Sequence, residues 1–224
     1  MNQVIGDLLP LAVGVAISPV PIIAVILMLL SPRAGGTSVG FLVGWVAGVV
    51  LGMTILLLVA EAVGFDTSEG PSATSSWIKV VLGVLLLLLG VRQWRSRPKK
   101  GAPVVLPKWM AAIDHVTPVK AAGLGLLLSS VNPKNLLMII GAATAVADAG
   151  LSTADEVVAV AVFSVIACST VAVPVIAYLA ARERMAPVLN ELKEWLEANN
   201  VAVMSVLLLV IGVSLLGKGI GGLG

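Results

Sequence analysis

The chain has 224 residues, of which 58% are hydrophobic and 12% charged, with a formal net charge of +2 and a mean hydropathy of +1.07. A soluble domain carries about 25% charged residues, so these values exclude a soluble globular protein and define a polytopic, all-α membrane protein. The one cysteine, Cys168, excludes an internal disulfide and a CxxC redox pair.

The first apolar stretch runs from about Val4 to Leu30 and is interrupted by Ile17-Ser18-Pro19-Val20-Pro21. It has no basic n-region and no small-residue cleavage site, so it reads as a mature span and not a cleaved signal peptide. Two prolines two apart remove backbone donors and predict a break or sharp kink there. Ser31-Pro32-Arg33-Ala34-Gly35-Gly36 forms a turn. The second span, Ser38 to Val63, carries Gly40, Gly44, Gly48 and Gly52 on one helical face. Small residues at this spacing let helix backbones approach closely in lipid, so the face is expected to pack tightly. A loop from Gly64 to Ser76 leads to the third span, Trp77 to Trp94, which is nearly pure Val and Leu. The polar segment from Arg95 to Pro118 follows, in which Leu106, Trp109, Met110 and Ile113 suggest a short interfacial helix. Asp114 and His115 lie there too, with no nucleophile beside them.

The fourth span, about Lys120 to Ala147, holds Asn132-Pro133-Lys134-Asn135 at its centre. A lysine at mid-bilayer costs about 2.5–3.5 kcal/mol on insertion scales and therefore faces protein or a wet cavity. The fifth span, Ala154 to Ala181, contains Pro174, read as a kink, and Cys168, Ser169 and Thr170, read as packing residues. From Arg182 to Asn200, Met185, Val188, Leu189, Leu192, Trp195 and Leu196 recur at helical spacing. That is an amphipathic helix lying on the membrane or leading into the sixth span, Val201 to Leu216.

Charge placement sets the expected orientation. Eleven of the fourteen basic residues (Arg33, Arg92, Arg95, Arg97, Lys99, Lys100, Lys108, Lys120, Arg182, Arg184 and Lys193) fall on one side if the 95–117 linker is cytoplasmic. Asp66, Glu69, Asp148, Asp155 and Glu156 fall on the other. By the positive-inside rule both termini are extracytoplasmic; the basic Arg92–Lys108 loop is a topology determinant or an attraction for anionic lipid on the cytoplasmic face.

The two halves share a layout. Each opens with a span broken by a polar-proline element, continues with a small-residue-rich span and ends with an aliphatic one. The expected architecture is six transmembrane helices in two inverted three-helix repeats, with helices 1 and 4 broken at mid-membrane. Residues 1–94 form the first repeat, 95–117 a basic linker, 118–217 the second repeat and 218–224 a flexible glycine tail. In inverted-repeat transporters, paired discontinuous helices build the substrate site. The broken ends free backbone groups that lipid cannot satisfy, and the half-helix N-termini carry partial positive charge. Lys134, Asn132, Pro133, Asn135, Ser18, Pro19 and Pro21 are therefore the candidate substrate-binding residues, and the charge of Lys134 favours an anion; the alternative for Lys134 is a bond to a backbone carbonyl that merely stabilises the break. Removal of Lys134 is expected to impair transport and leave the fold intact, because the break would survive. Asp7 and Glu61, near span ends, are candidates for proton coupling or solvated interfacial residues. No buried His, Asp or Glu pair offers a metal site, and neither a cofactor nor an enzymatic role is expected.

The segments LPLAVGVAISPVPIIAVILMLLSPRA, FLVGWVAGVV and NPKN resemble the actinobacterial Sap/GAP family. These are the sulfolipid-1- and glycopeptidolipid-addressing proteins, a branch of the LysE exporter superfamily. The resemblance covers almost the whole chain. It implies a six-span exporter of two inverted repeats that moves cell-envelope glycolipids across the plasma membrane of mycobacteria and relatives. By motif, Ser18, Pro19, Pro21, Asn132, Pro133 and Lys134 become its central site. The chain lacks the cysteine pair of the superfamily's redox branch and the His/acidic cluster expected for metal exporters. The expected function is export or flipping of an anionic lipid or glycolipid. The alternatives are export of a small carboxylate or amino acid, and a structural anchor of a lipid-export complex. Expected partners are membrane lipids, the anionic substrate, and a second copy or lipid-synthesis and export proteins, with no nucleic acid. No nucleotide-binding motif is present, so energy would come from the proton gradient or from downhill transfer.

Overall fold

A computed structural model describes residues 1–62, 73–96, 113 and 116–223. Among them there is no β-strand, and eight helices carry the fold: α1 (Asn2–Ala16), α2 (Pro19–Leu30), α3 (Ala34–Ala62), α4 (Ala73–Arg95), α5 (Pro118–Ser130), α6 (Pro133–Ala147), α7 (Thr153–Ala180) and α8 (Arg182–Gly221). Helices α3, α4, α7 and α8 are each long and apolar enough to cross a bilayer. The pairs α1–α2 and α5–α6 pass the same test as units and are bent by 53° and 62° at their breaks, giving four to six spans. This is the architecture of a multi-pass membrane protein. Large apolar side chains such as Val43, Leu88, Val165, Ile176 and Val210 are exposed along the helix faces, as expected where lipid and not water is the solvent.

The breaks fall where proline dictates. Pro19 and Pro133 each occupy the first turn of the second half-helix, after extended residues Ser18 and Asn132. A proline there has no N–H to lose and its fixed φ suits a helix start, while it pushes the residue before it out of the helical region. Pro174, by contrast, lies buried within a continuous α7.

Glycine decides which helices touch. A Cβ on Gly40 or Gly44 of α3 would overlap the backbone carbonyl of Pro118 or Ala122 on α5, and one on Gly125 of α5 would overlap the Phe41 carbonyl. The two helices therefore run side by side, parallel, with backbones in contact, as the glycine face of the second span predicts. Gly52 is different: a Cβ there would sit 3.6 Å from Ile139 Cδ1, at ordinary contact. Helices α4 and α8 pack antiparallel, with Gly83 against Gly212 and Gly219 against Val80 and Ser76.

Exchanging α1–α4 with α5–α8 leaves much of the packing in place. α3 packs on α5 as α7 does on α1, α3 on α6 as α7 does on α2, and α2 on α8 as α6 does on α4, while α4–α8 and α3–α7 map onto themselves. The α1–α6, α2–α3, α7–α8 and α1–α8 contacts have no counterpart of like extent.

The C-terminal segment corrects one expectation. The tail from residue 218 is helical to Gly221, as the end of the 40-residue α8. Gly219 fits against α4 where a side chain would not, and Lys218 Nζ meets Asp7 Oδ1 at 2.6 Å. At 1.5 Å per residue α8 is about 60 Å long, twice a hydrocarbon core. Its first half, in which Leu189 and Leu196 are buried while Val188 and Trp195 are exposed, continues straight into the apolar half. The loop residues 64–72, most of the 95–117 linker with its suggested interfacial helix, Asp114, His115 and the Glu61 side chain lie outside the described residues.

Candidate functional site

Breaking a helix frees carbonyls, and at the end of α1 each one finds a donor. The Val13 carbonyl accepts from Ile17 N at 2.8 Å, and the Ala16 carbonyl from Ser18 N at 2.8 Å. Ser18 Oγ donates its single hydrogen to the Val15 carbonyl at 2.8 Å. Lys134, on the first turn of α6, reaches across and donates from Nζ to the Gly14 carbonyl at 2.6 Å, to the Ile17 carbonyl at 3.0 Å and to Ser18 Oγ at 2.5 Å. Thr170 Oγ1, on α7, donates to the Ala16 carbonyl at 2.6 Å. Buried backbone polar groups are almost always paired, and here the second half of the chain supplies partners for the first.

The other break is closed in a similar way. Asn132 Oδ1 accepts from Lys134 N at 3.0 Å, capping α6. Asn135, fully buried, donates from Nδ2 to the Leu128 carbonyl near the end of α5 at 3.2 Å. Its Oδ1 stands 3.4 Å from Ser18 Oγ, so the two breaks meet.

These contacts change the expected chemistry of the half-helix N-termini. Pro19 and Pro21 have no N–H, and Ile22 N is bound to the Ser18 carbonyl, which leaves Val20 as the open donor of the first α2 turn. At α6, Pro133 has no N–H and Lys134 N is taken by Asn132. Lys134 is only 3% exposed and its three ammonium protons face three acceptors. Its charge is present at the break, but its hydrogen bonds are already made.

A cavity of about 490 Å³ opens from this junction, bounded by α2, α4 and α8 and the α5–α6 break. Its inner wall is Ser18, Pro19, Val20, Pro21, Asn132, Pro133 and Lys134. Its outer wall is Leu89, Arg92, Gln93 and Ser96 on α4 with Asn200, Met204 and Leu208 on α8. From Leu89 to Ser96 is about 10 Å along a helix axis, so the cavity runs from the breaks toward the arginine-bearing end of α4. No carboxylate lines it among the described residues. Beside it lies a second, almost wholly apolar hollow of about 570 Å³, formed by Pro10, Val13 and Ile17 of α1 and by Ala202, Val203, Val206, Leu207, Val210 and Ile211 of α8. Ile17 lines the apolar groove and its neighbour Ser18 lines the polar cavity.

Six of the seven predicted binding residues thus share one cavity wall, and Asn135 lies buried behind it. Asp7 is not at this site: it pairs with Lys218 at the opposite end of the bundle, eleven residues or about 16 Å along α1 from Ser18. At that end, too, Lys79 Nζ of α4 meets Asp148 Oδ2 at 2.6 Å, with side chains 14% and 9% exposed. Among the described residues no group of three or more His, Cys, Asp or Glu side chains gathers. Sequence reading missed Thr170, taken only for a packing residue, and Arg92, Gln93 and Asn200. The signal for Arg92 was present, since it follows an aliphatic span on the helix that α8 covers, but in the sequence it reads only as part of the basic Arg92–Lys108 loop, as a topology determinant or an attraction for anionic lipid, and not as a cavity residue.

The fold and site define a multi-pass helical membrane protein with a polar cavity where two broken helices meet, lined by no carboxylate among the described residues. Residues 8–221 match the family described as Sap, sulfolipid-1-addressing protein, and the chain belongs to that family. It is a membrane protein of a family associated with lipid export. The comparisons with curated proteins and with solved structures give no match.

Proposed function

We propose that this protein is an exporter or flippase that moves an anionic lipid or glycolipid across the plasma membrane toward the cell envelope. The observation that carries the reading is the meeting of two unlike compartments at one break. A polar cavity with two basic side chains and, among the described residues, no carboxylate adjoins an apolar groove between α1 and α8. The cavity suits a head group, and the groove suits its acyl chain. An exporter of a small carboxylate or amino acid needs the first and has no use for the second. Ligand sites typically occupy about 300–1,000 Å³, and the cavity falls within that range.

The exchange of packing partners between the two halves supports an inverted repeat, in which discontinuous helices meet at the substrate site and the halves rock about it. The cavity opens toward the arginine-bearing end, while the Lys79–Asp148 and Asp7–Lys218 pairs tie the other. With the positive-inside orientation, this is a cytoplasm-facing state, and release to the envelope side requires the two ion pairs to part.

The test is reconstitution in phosphatidylcholine vesicles with a fluorescently labelled sulfated glycolipid placed in both leaflets. The reading expects inner-leaflet probe to become accessible to an external quencher faster than in protein-free vesicles. Equal rates would remove the transport reading.

A further inference from the structure

We infer that Arg92, and not Lys134, is the cation that a substrate's anionic group meets in this cavity. This deepens the transport reading above and rests on it.

The argument is one of open donors. Lys134 has three N–H groups and gives them to the Gly14 carbonyl, the Ile17 carbonyl and Ser18 Oγ. An anion that took one of these would strip a carbonyl of its partner inside the membrane, where an unsatisfied group costs several kcal/mol. Arg92 lines the same cavity from α4, is exposed and has no hydrogen-bond or ion-pair partner among the described residues. Its guanidinium presents five donors in a planar fork that matches two oxygens of a tetrahedral oxyanion. Lys134 still contributes its field: among the described residues no carboxylate stands on the walls beside these two positive charges, which disfavours a cationic head group. Gln93 and Asn200 line the same cavity, as does Ser96, whose hydroxyl donates to the Gln93 carbonyl and can only accept. Amides both donate and accept, and so pair with the hydroxyls of a sugar or polyol.

Arg92 also lies at the apolar-to-polar boundary of α4, where a basic residue is expected for orientation alone. A direct role makes a different prediction, because only contact with the ligand distinguishes a charged head group from a neutral one. The experiment uses the full chain in phosphatidylcholine nanodiscs, titrated with octyl glucoside 6-sulfate, octyl glucoside and glucose 6-sulfate. The wild-type protein is expected to prefer the sulfated glucoside to the neutral one by about tenfold to a hundredfold, the range for charge-assisted hydrogen bonds. R92Q should collapse that ratio toward one, and R92K should retain part of it, keeping the charge but losing the fork. The far-UV spectrum checks that each variant is folded. A wild-type ratio in R92Q overturns the proposal, as does a wild-type protein that binds both glucosides equally. Binding of neither glucoside overturns the transport reading and the Arg92 assignment together. If glucose 6-sulfate binds as tightly as its octyl counterpart, Arg92 stands as the anion contact and the substrate becomes a free anion.

Discussion

The ammonium of Lys134 donates to the carbonyl of Gly14 at 2.6 Å, joining residues 120 apart in the sequence. With its further bond to the Ile17 carbonyl, it completes the end of a helix in the other half of the chain. Lys134 is thus part of what allows α1 to stop in the middle of a membrane. The expectation that its removal leaves the fold intact gives way to the opposite one. Lys134→Met strands the buried Gly14 carbonyl and the part-buried Ile17 carbonyl, the first costing about 1–3 kcal/mol and the second less. A fall of several degrees or more in the thermal midpoint of the detergent-solubilised protein is expected, and an unchanged midpoint would show that the contacts carry no stability.

Thr170 makes the same kind of contribution on a smaller scale. The Ala16 carbonyl it serves also accepts from Ser18 N, so the loss is partial. Thr170→Val keeps the shape and removes the donor, and should cost about 0.5–1.5 kcal/mol. Thr170→Ser should cost less. Chemical denaturation of the pair in the same detergent measures the difference, and equal losses would point to packing, not hydrogen bonding.

The glycines of α3 separate into two kinds. Gly44→Ala forces a methyl into the Ala122 carbonyl of α5 and requires the helices to part, whereas Gly52→Ala meets only Ile139 side-chain atoms at ordinary distance. Overpacking typically costs about 1–3 kcal/mol, so Gly44→Ala is expected to lower the yield of folded protein and its midpoint. Gly52→Ala should be near neutral or slightly stabilising, since alanine is the better helix former. A comparison of monodisperse yield and melting temperature decides it.

The Lys79–Asp148 pair is shielded from solvent, and Asp148 Oδ1 lacks a partner. Truncating either residue leaves a charge poorly solvated, which is the costly case. In a double-mutant cycle, Lys79→Ala with Asp148→Ala should be less destabilised than the sum of the singles by about 0.5–3 kcal/mol. Additivity would show that the pair does not hold α4 to α6.

Much of this was legible in the residues themselves, because the strongest constraints in a membrane are local. Pro19 and Pro133 interrupt apolar runs that would otherwise be single spans, so both breaks could be placed from the sequence. The spacing of Gly40, Gly44 and Gly48 announced a helix contact, although not that α5 would be the partner. What could not be read is where hydrogen bonds go once the chain has folded. Lys134 was legible either as a charge for an anion or as the partner of a backbone carbonyl at the break, and nothing local decides between them because its partners lie more than a hundred residues away. Arg92 read as an orientation signal or a cytoplasmic attraction for anionic lipid, and not as a cavity wall, because that place depends on α8 returning antiparallel beside α4. The glycine tail read as flexible because glycine lowers helix propensity, an effect that packing of Gly219 on α4 overrides.

The central claim is that substrate passes through the cavity between the breaks, α4 and α8. Met204 lines that cavity, and the native Cys168 is 5% exposed, so a single introduced thiol can be addressed selectively. Met204→Cys protein in vesicles is assayed for movement of a labelled sulfated glycolipid before and after reaction with a bulky, water-soluble methanethiosulfonate, then again after reductant. The account predicts transport in the untreated variant, its loss on modification and its return when the adduct is released. Undiminished transport by fully modified protein would contradict it.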